Sequence, residues 1–299
     1  MIVKVAVDLP QIEPLDYKFD TNLSDKDVVG MWVLVPLRNK LMLGLVTEVV
    51  KSFTARFELK KIHKCISQLP KIDKYWLALI YFSSKYYHKS FGQTAFTSIP
   101  RSIKDVNTYL PGKKISKIEK LLNQVEVTEQ KNHDFEDLIL NSDQKHAVKI
   151  ILESTKPVLL HGVTGSGKTR VYAKLIQETL KKIPNSQILL LVPEIGLTPQ
   201  AFENMSTMLN GIEINLFHSE QTPNLRSKIW LSSLKGKPSL IIGTRISVFL
   251  PLPNLRMIII DEEHDPSYKQ KEGVRYSARN LAIWRSKKKG CKIISIIRI

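Results

Sequence analysis

Hydrophobic and polar positions keep one rhythm over the first hundred residues and another from about residue 138 onward. In the first stretch, Ile2 to Leu9, Met31 to Pro36 and Leu41 to Val50 are β-rich runs separated by turn residues, which predicts a small antiparallel sheet or barrel. Lys74 to His88 then carries apolar and aromatic residues at near-helical spacing, so one helix is expected to pack on that sheet with most of its aromatics in the core. Residues 104–137 are polar and lysine-rich, with Pro111-Gly112 as a breaker and one short helix around Ile115 to Leu122, and read as a linker. Beyond it, strand-like runs at Ile188 to Val192, Ile214 to Phe217, Leu240 to Ile242 and Met257 to Ile260 alternate with helical ones at Pro199 to Leu209 and Leu225 to Lys235. That alternation predicts βαβ units and a parallel sheet.

The chain has 299 residues, 43% of them hydrophobic, enough for two domains at 1–103 and 138–299. Its longest apolar runs fall far short of the ~18 residues of a membrane span. The N-terminus alternates like a strand rather than carrying the long apolar stretch of a secretory leader, so a cytoplasmic, non-membrane protein is expected. Cys65 and Cys291 are too few and too far apart in sequence for a zinc cluster or a disulfide framework, and both read as buried thiols. Lys and Arg exceed Asp and Glu by 45 to 28, a net charge of +17, and that balance favours a polyanionic partner, nucleic acid first.

The stretch Gly162-Val163-Thr164-Gly165-Ser166-Gly167-Lys168-Thr169 has the G-x-x-x-x-G-K-T spacing that wraps a chain of phosphates. Its glycines let consecutive N–H groups point inward, Lys168 adds a compact positive charge, and the Thr169 hydroxyl suits Mg²⁺. A short buried strand at Pro157 to Leu160 precedes it and a helix at Arg170 to Lys182 follows, the order an ATP-binding turn requires. Downstream, Met257 to Ile260 runs into Asp261-Glu262-Glu263-His264, placing carboxylates at the end of a buried strand. Asp261 suits Mg²⁺, and Glu262 suits orienting and deprotonating the water that attacks the γ-phosphate. His264 could relay nucleotide state to neighbouring loops. The triphosphate before Lys168 and the metal at Asp261 are expected to face each other across adjacent strand tips.

These motifs, with Leu191 to Gln200, Phe217 to Ser219, Gly243-Thr244-Arg245 and Asp261 to Tyr268 in matching order, resemble the superfamily 2 helicases, and among them the DEEH-type bacterial replication restart (primosomal) family. The resemblance implies an α/β fold, a RecA-like P-loop lobe preceded by a small β-rich domain that captures a DNA 3′ end. It implies ATP-dependent 3′ to 5′ unwinding at stalled forks, with ATP and Mg²⁺ as cofactors and single-stranded DNA, forked DNA and primosome proteins as partners. Gln144 would read the adenine edge. Pro193, Glu194, Gly243, Thr244 and Arg245 would hold the single-strand backbone through N–H groups and one cation. Asp265 to Tyr276 resembles the family's aromatic-rich coupling loop, in which Tyr268, Lys269 and Tyr276 make a stacking and phosphate-binding surface. In the first domain, Leu15-Asp16-Tyr17 matches the end-capturing motif, with Asp16 accepting a hydrogen bond from a terminal 3′-OH and Lys60 contacting the neighbouring phosphate.

The family's winged-helix domain has too little room in residues 104–137, and its cysteine-rich zinc module has no counterpart, so zinc is not expected. The strand at Cys291 to Ser295 arrives where the family shows Gly-Ser-Ala-Thr-Pro, but Ile296 to Ile299 departs from it. The chain therefore reads as truncated before the second motor lobe, whose arginines contribute ~10³ to 10⁵ in rate, and ATP binding with little turnover is expected from it alone. A non-catalytic ATP- and DNA-binding assembly protein is the alternative. A small-molecule kinase would need neither the Asp-Glu-Glu-His tetrad nor the basic excess.

Overall fold

A computed structural model describes residues 1–51, 58–110, 117–126, 135, 137–193 and 199–298. The chain divides into two compact units, one of residues 1–127 with 222–235, the other of residues 128–221 with 236–299.

The first unit is built on β1 (Ile2–Val7), β2 (Leu15–Lys18), α1 (Asp25–Val28), β3 (Trp32–Leu37), β4 (Lys40–Val50) and β5 (Lys64–Cys65), followed by α2 (Lys74–Tyr86), α3 (Phe91–Ala95), α4 (Arg101–Lys104) and α5 (Lys117–Glu126). The strands pair antiparallel in the order β2-β1-β4-β3-β5. Residues 60–62 then return to β2: Lys18 N–H donates to the Lys60 carbonyl at 3.0 Å and Ile62 N–H to the Lys18 carbonyl at 2.9 Å. The same segment passes directly into β5, so the sheet curls back on itself, as a barrel does. Alternating Val3, Val5, Val7, Val33, Val35 and Val46 fill its interior.

Helix α2 begins at Asp73, whose carboxylate accepts from the N–H groups of Tyr75 and Trp76, and it buries Trp76, Leu79, Ile80 and Ser83 at helical spacing. The polar stretch expected to be a linker contains α5, which buries Leu121, Leu122 and Val125 within this unit. Pro111, Gly112 and Ile115 lie outside the described residues.

The second unit holds α6 (Ser142–Glu153), β6 (Val158–Gly162), α7 (Lys168–Lys182), β7 (Gln187–Leu191), α8 (Pro199–Met208), β8 (Ile214–Phe217), β9 (Ser239–Gly243), β10 (Leu255–Ile260), α10 (Ala278–Lys289) and β11 (Lys292–Arg298), and between β8 and β9 the chain supplies α9 (Pro223–Leu234) to the first unit. Helix α9 was expected to flank the sheet. Its Trp230, fully buried, instead meets Trp32 edge on at 5.9 Å, because a helix with Ile229, Trp230, Leu231 and Leu234 all buried needs an apolar bed.

The six strands are all parallel, in the order β6-β11-β10-β7-β9-β8. β7, β9 and β10 are nearly continuous apolar runs because both faces are covered. The expected buried strand before the phosphate loop is different: β6 is an edge strand, with Leu159 56% exposed and His161 exposed. A local run of apolar residues specifies a strand but not its place in the sheet. No helix of the described residues is long and apolar enough to cross a membrane.

Candidate nucleotide and nucleic-acid sites

Parallel strands deliver their following loops to one end of a sheet. Here the loop after β6 is the phosphate loop, the turn after β10 is Asp261 to His264, and the turns after β7 and β9 begin at Val192 and Thr244. Strand β11 lies between β6 and β10, pairing Arg298 with Gly162 on one side and Ser295 with Ile260 on the other. Lys168 and Asp261 therefore rise at the same sheet end from strands separated by one, not from adjacent ones as the sequence suggested.

Gly165 and Gly167 take φ values of 78° and 77°, a region that side-chain-bearing residues avoid. Nothing lies within 4 Å of where a Cβ of Gly165 would stand, whereas a Cβ at Gly167 would meet Gln144 Nε2 at 2.4 Å. Lys168 Nζ donates into the loop, to the carbonyls of Gly162 at 2.6 Å and Val163 at 2.8 Å, with Ser166 Oγ at 3.4 Å. Gly167 is the N-cap of α7 and brings no side chain to cap it, so the first N–H groups of a 15-residue helix face the loop unshielded. Val163, Thr164, Gly165 and Ser166 are exposed, and Thr169 is half-buried.

Gln144 has two duties. It forms a capping box with Asn141, and its Nε2 donates to the Ser166 carbonyl at 3.1 Å. One amide hydrogen thereby fixes this side chain against the phosphate loop.

At the carboxylate cluster, Asp261 N–H donates to the Leu191 carbonyl at 2.9 Å, tying the ends of β10 and β7 together. Asp261 Oδ1 accepts from the Glu262 N–H at 3.0 Å. Glu262 sits at φ 46°, left-handed backbone that costs a non-glycine residue of order 1 kcal/mol and that commonly marks a functional turn. Glu263 pairs with Arg279 at 3.1 Å, while its N–H donates to the Ile296 carbonyl. His264 is exposed and lines a cleft of about 320 Å³ with Glu263, Asp265, Lys269 and Arg279.

The loop from Asp265 to Tyr276 departs most from the sequence reading. Tyr268 and Tyr276 are only 3% and 1% exposed, so neither ring offers a face to a base. Tyr276 packs edge on against Phe249 at 4.7 Å. The Tyr268 hydroxyl lies 2.5 Å from the Asp261 carbonyl and 3.0 Å from that of Leu191, and burial, with the neighbouring carboxylates, pushes its pKa well up. Arg245 grips the same loop: its Nε donates to Gln270 Oε1 at 2.5 Å and its Nη1 to the Ser267 carbonyl at 3.3 Å. Lys269 is exposed, its Nζ donating to the Arg275 carbonyl at 3.3 Å.

Three other backbone-contact assignments also change. Pro193 is buried and has no N–H to donate. Gly243 and Thr244 are buried, and a Cβ at Gly243 would strike Ser247 Oγ and the Phe217 carbonyl, so this glycine serves close packing. Glu194 lies outside the described residues. Spacing did not mark Tyr268 as the tie between two strand ends, since a loop has no periodicity to reveal an inward face.

In the first unit, Asp16 and Tyr17 sit on β2, and Lys60 is in the segment that closes onto it. Asp16 Oδ1 is buried with no hydrogen-bond partner, an acceptor left unsatisfied inside a folded unit. Lys60 is exposed and its Nζ donates to the Arg38 carbonyl at 3.3 Å. The Tyr17 ring is in the core, its hydroxyl donating to the Pro36 carbonyl, so it braces β2 rather than presenting a surface.

Residues 4–100 match the model of the 3′DNA-binding domain (3′BD), and residues 141–295 match the DEAD/DEAH box helicase model. The replication restart protein PriA of Rickettsia conorii is 36% identical, aligned over 95% of this chain and 40% of its own length. That of Haemophilus influenzae is 30% identical over 94% of this chain and 47% of its own length. The chain thus spans less than half the length of these curated relatives. Among solved structures, the DUF1998 helicase MrfA bound to DNA overlaps 62% of this chain and 30% of its own, with 16% identity and a TM-score of 0.42. Since the helicase model accounts for 155 of 299 positions, the chain belongs to the DEAD/DEAH box helicase family.

Proposed function

We propose that this chain is the DNA-end-binding and ATP-binding portion of an ATP-dependent DNA helicase acting 3′ to 5′ at stalled forks; the two matched family models support the DNA-end and helicase parts, and the relatives' name supports replication restart. The observation that carries the reading is the delivery of the phosphate loop and the Asp261-Glu262 turn to one sheet end on either side of β11.

The residues present fit ATP and magnesium. The open space at Gly165, the uncapped start of α7 and the Lys168 ammonium make an anion cradle. Lys168 would exchange its loop carbonyls for phosphate oxygens, and Thr169 and Asp261 would hold Mg²⁺, which supplies charge neutralisation between phosphate oxygens. Glu262 would orient a water and accept its proton as the γ-phosphoryl leaves. Gln144, fixed to the loop by one amide hydrogen while its carbonyl accepts the Asn141 N–H, keeps a second donor for a purine edge.

Arg245 and Tyr268 are positioning residues in this scheme: one grips the coupling loop, the other joins it to the Asp261 strand end. Exposed Lys269 is the remaining phosphate contact of that loop. In the first unit, the unsatisfied Asp16 Oδ1 is an acceptor for a terminal 3′-OH, and Lys60 is the cation for the adjoining phosphate. Primosome proteins are partners on family grounds.

The test is single-turnover ATP hydrolysis by the purified chain with forked DNA bearing a free 3′ end. DNA-stimulated phosphate release supports the motor reading. ATP and DNA binding without release would favour the non-catalytic assembly role.

A further inference from the structure

Helix α2 carries aromatic rings that the core does not use. Tyr81 and Tyr86 are 60% and 58% exposed, the two exposed tyrosines among the described residues; Tyr81 and Lys85, four apart, share the helix side away from buried Trp76 and Ile80, and Tyr86 ends the last turn in line with Leu79. The rings are held rather than loose. Phe82 stacks on Tyr86 with centroids 5.3 Å apart and planes at 25°, Tyr87 meets Tyr86 edge on at 4.9 Å, and Lys85 Nζ lies 5.9 Å over Tyr81.

The charge of this surface has one sign. From Lys74 to Lys89 the sequence contains Lys74, Lys85, Lys89 and His88 and no carboxylate. The nearest acid, Asp73, is occupied by the N–H groups of Tyr75 and Trp76. Exposed aromatic rings with interleaved cations, in a segment that carries no carboxylate, match what unpaired bases and their phosphates require.

We propose that the exposed C-terminal half of α2, with the residues that follow it, is a second single-stranded nucleic-acid contact, on which Tyr81 and Tyr86 stack unpaired bases while Lys85 and Lys89 hold the intervening phosphates. It is separate from the ATP chemistry and from recognition of a terminal hydroxyl by Asp16. Sequence tolerance follows, since every base has a stackable face and no side-chain amide here reads base edges.

The test uses the whole chain and a fluorescent oligothymidylate whose 3′ end is blocked by phosphate, which removes the terminal hydroxyl from the measurement. Tyr81→Leu with Tyr86→Leu is expected to weaken binding about 30-fold or more, the effect of losing two stacked bases. Tyr81→Phe with Tyr86→Phe should retain affinity, because the ring is kept. Asp16→Asn is expected to weaken binding of the same strand carrying a free 3′-OH, where Asp16 has its proposed partner, so failure at the 3′ end and failure at α2 are distinguishable. If the leucine pair binds the blocked strand as tightly as the parent while Lys85→Gln with Lys89→Gln does not, attraction is purely ionic and the proposal falls. Unchanged affinity in both pairs would mean that the face serves another partner, and would equally overturn it.

Discussion

The Tyr268 hydroxyl is 2.5 Å from the main-chain oxygen of Asp261, the residue at the end of β10 that faces the nucleotide end of the sheet. The same hydroxyl reaches the Leu191 carbonyl at the end of β7, so one buried phenol joins two strand ends and the coupling loop. Tyr268→Phe removes that proton and takes a donor from the buried Asp261 carbonyl, while the Leu191 carbonyl keeps the Asp261 N–H, which is expected to lower unfolding free energy by about 1 to 3 kcal/mol in urea titration. If the tie also positions Asp261, the variant will need more Mg²⁺ for tight ATP binding, while Mg²⁺-free nucleotide affinity stays as in the parent. A change in stability alone would limit Tyr268 to scaffolding.

Burial pushes the phenols of Tyr17, Tyr109 and Tyr268 above their ordinary value of 10.0. Each therefore keeps its proton in the folded chain at a pH where the unfolded chain has begun to lose it. Their contribution is fully present below about pH 10 and is lost as pH rises beyond it. Unfolding free energy measured from pH 9 to 11 is expected to fall with pH, with a shallower slope in Tyr268→Phe.

In the proposed mechanism, Lys168 and Glu262 separate binding from turnover. Lys168→Ala removes the cation of the phosphate cradle and is expected to weaken ATP binding in a fluorescent-nucleotide titration. Glu262→Gln keeps the turn and should retain binding while lowering DNA-stimulated phosphate release by about 10²- to 10⁴-fold. Glu262→Gly adds a further signature: relief of the φ 46° backbone is expected to raise stability by about 1 kcal/mol even as release is lost.

The parallel sheet was legible because β7, β9 and β10 are largely buried on both faces and appear as nearly continuous apolar runs. The phosphate loop was legible because its glycines and lysine must stand at fixed offsets. Leu159 shows where this stops: β6 has the same apolar text as its neighbours, but its edge position depends on strand order, which no local window encodes. Tyr268 and Tyr276 misled in the opposite direction. Interleaved with lysines in a polar loop they resembled a stacking surface, and only the surrounding β10, Leu191 and Phe249 reveal that both rings turn inward.

Lys292 is a smaller case of a tertiary role hidden in the text. Its ammonium donates to the carbonyls of Ile151 at 2.7 Å, Leu152 at 3.2 Å and Ser154 at 2.6 Å, satisfying the C-terminal end of α6. Lys292→Met keeps the aliphatic stem and removes the donors. It is expected to cost about 1 kcal/mol, and amide exchange in the last turn of α6 should quicken while the first turn, held by the Asn141 capping box, is unaffected.

Because residues 222–235 complete the first unit, the covalent path departs from the second unit after residue 221 and rejoins it at residue 236. A clone that stops at residue 127 would strip Trp32 of its indole neighbour, and one that starts at residue 128 would carry Ile229, Trp230 and Leu231 on a greasy helix with no bed. Dissecting this protein by scissors alone would yield two sticky halves; the isolated first unit must have residues 222–235 grafted back.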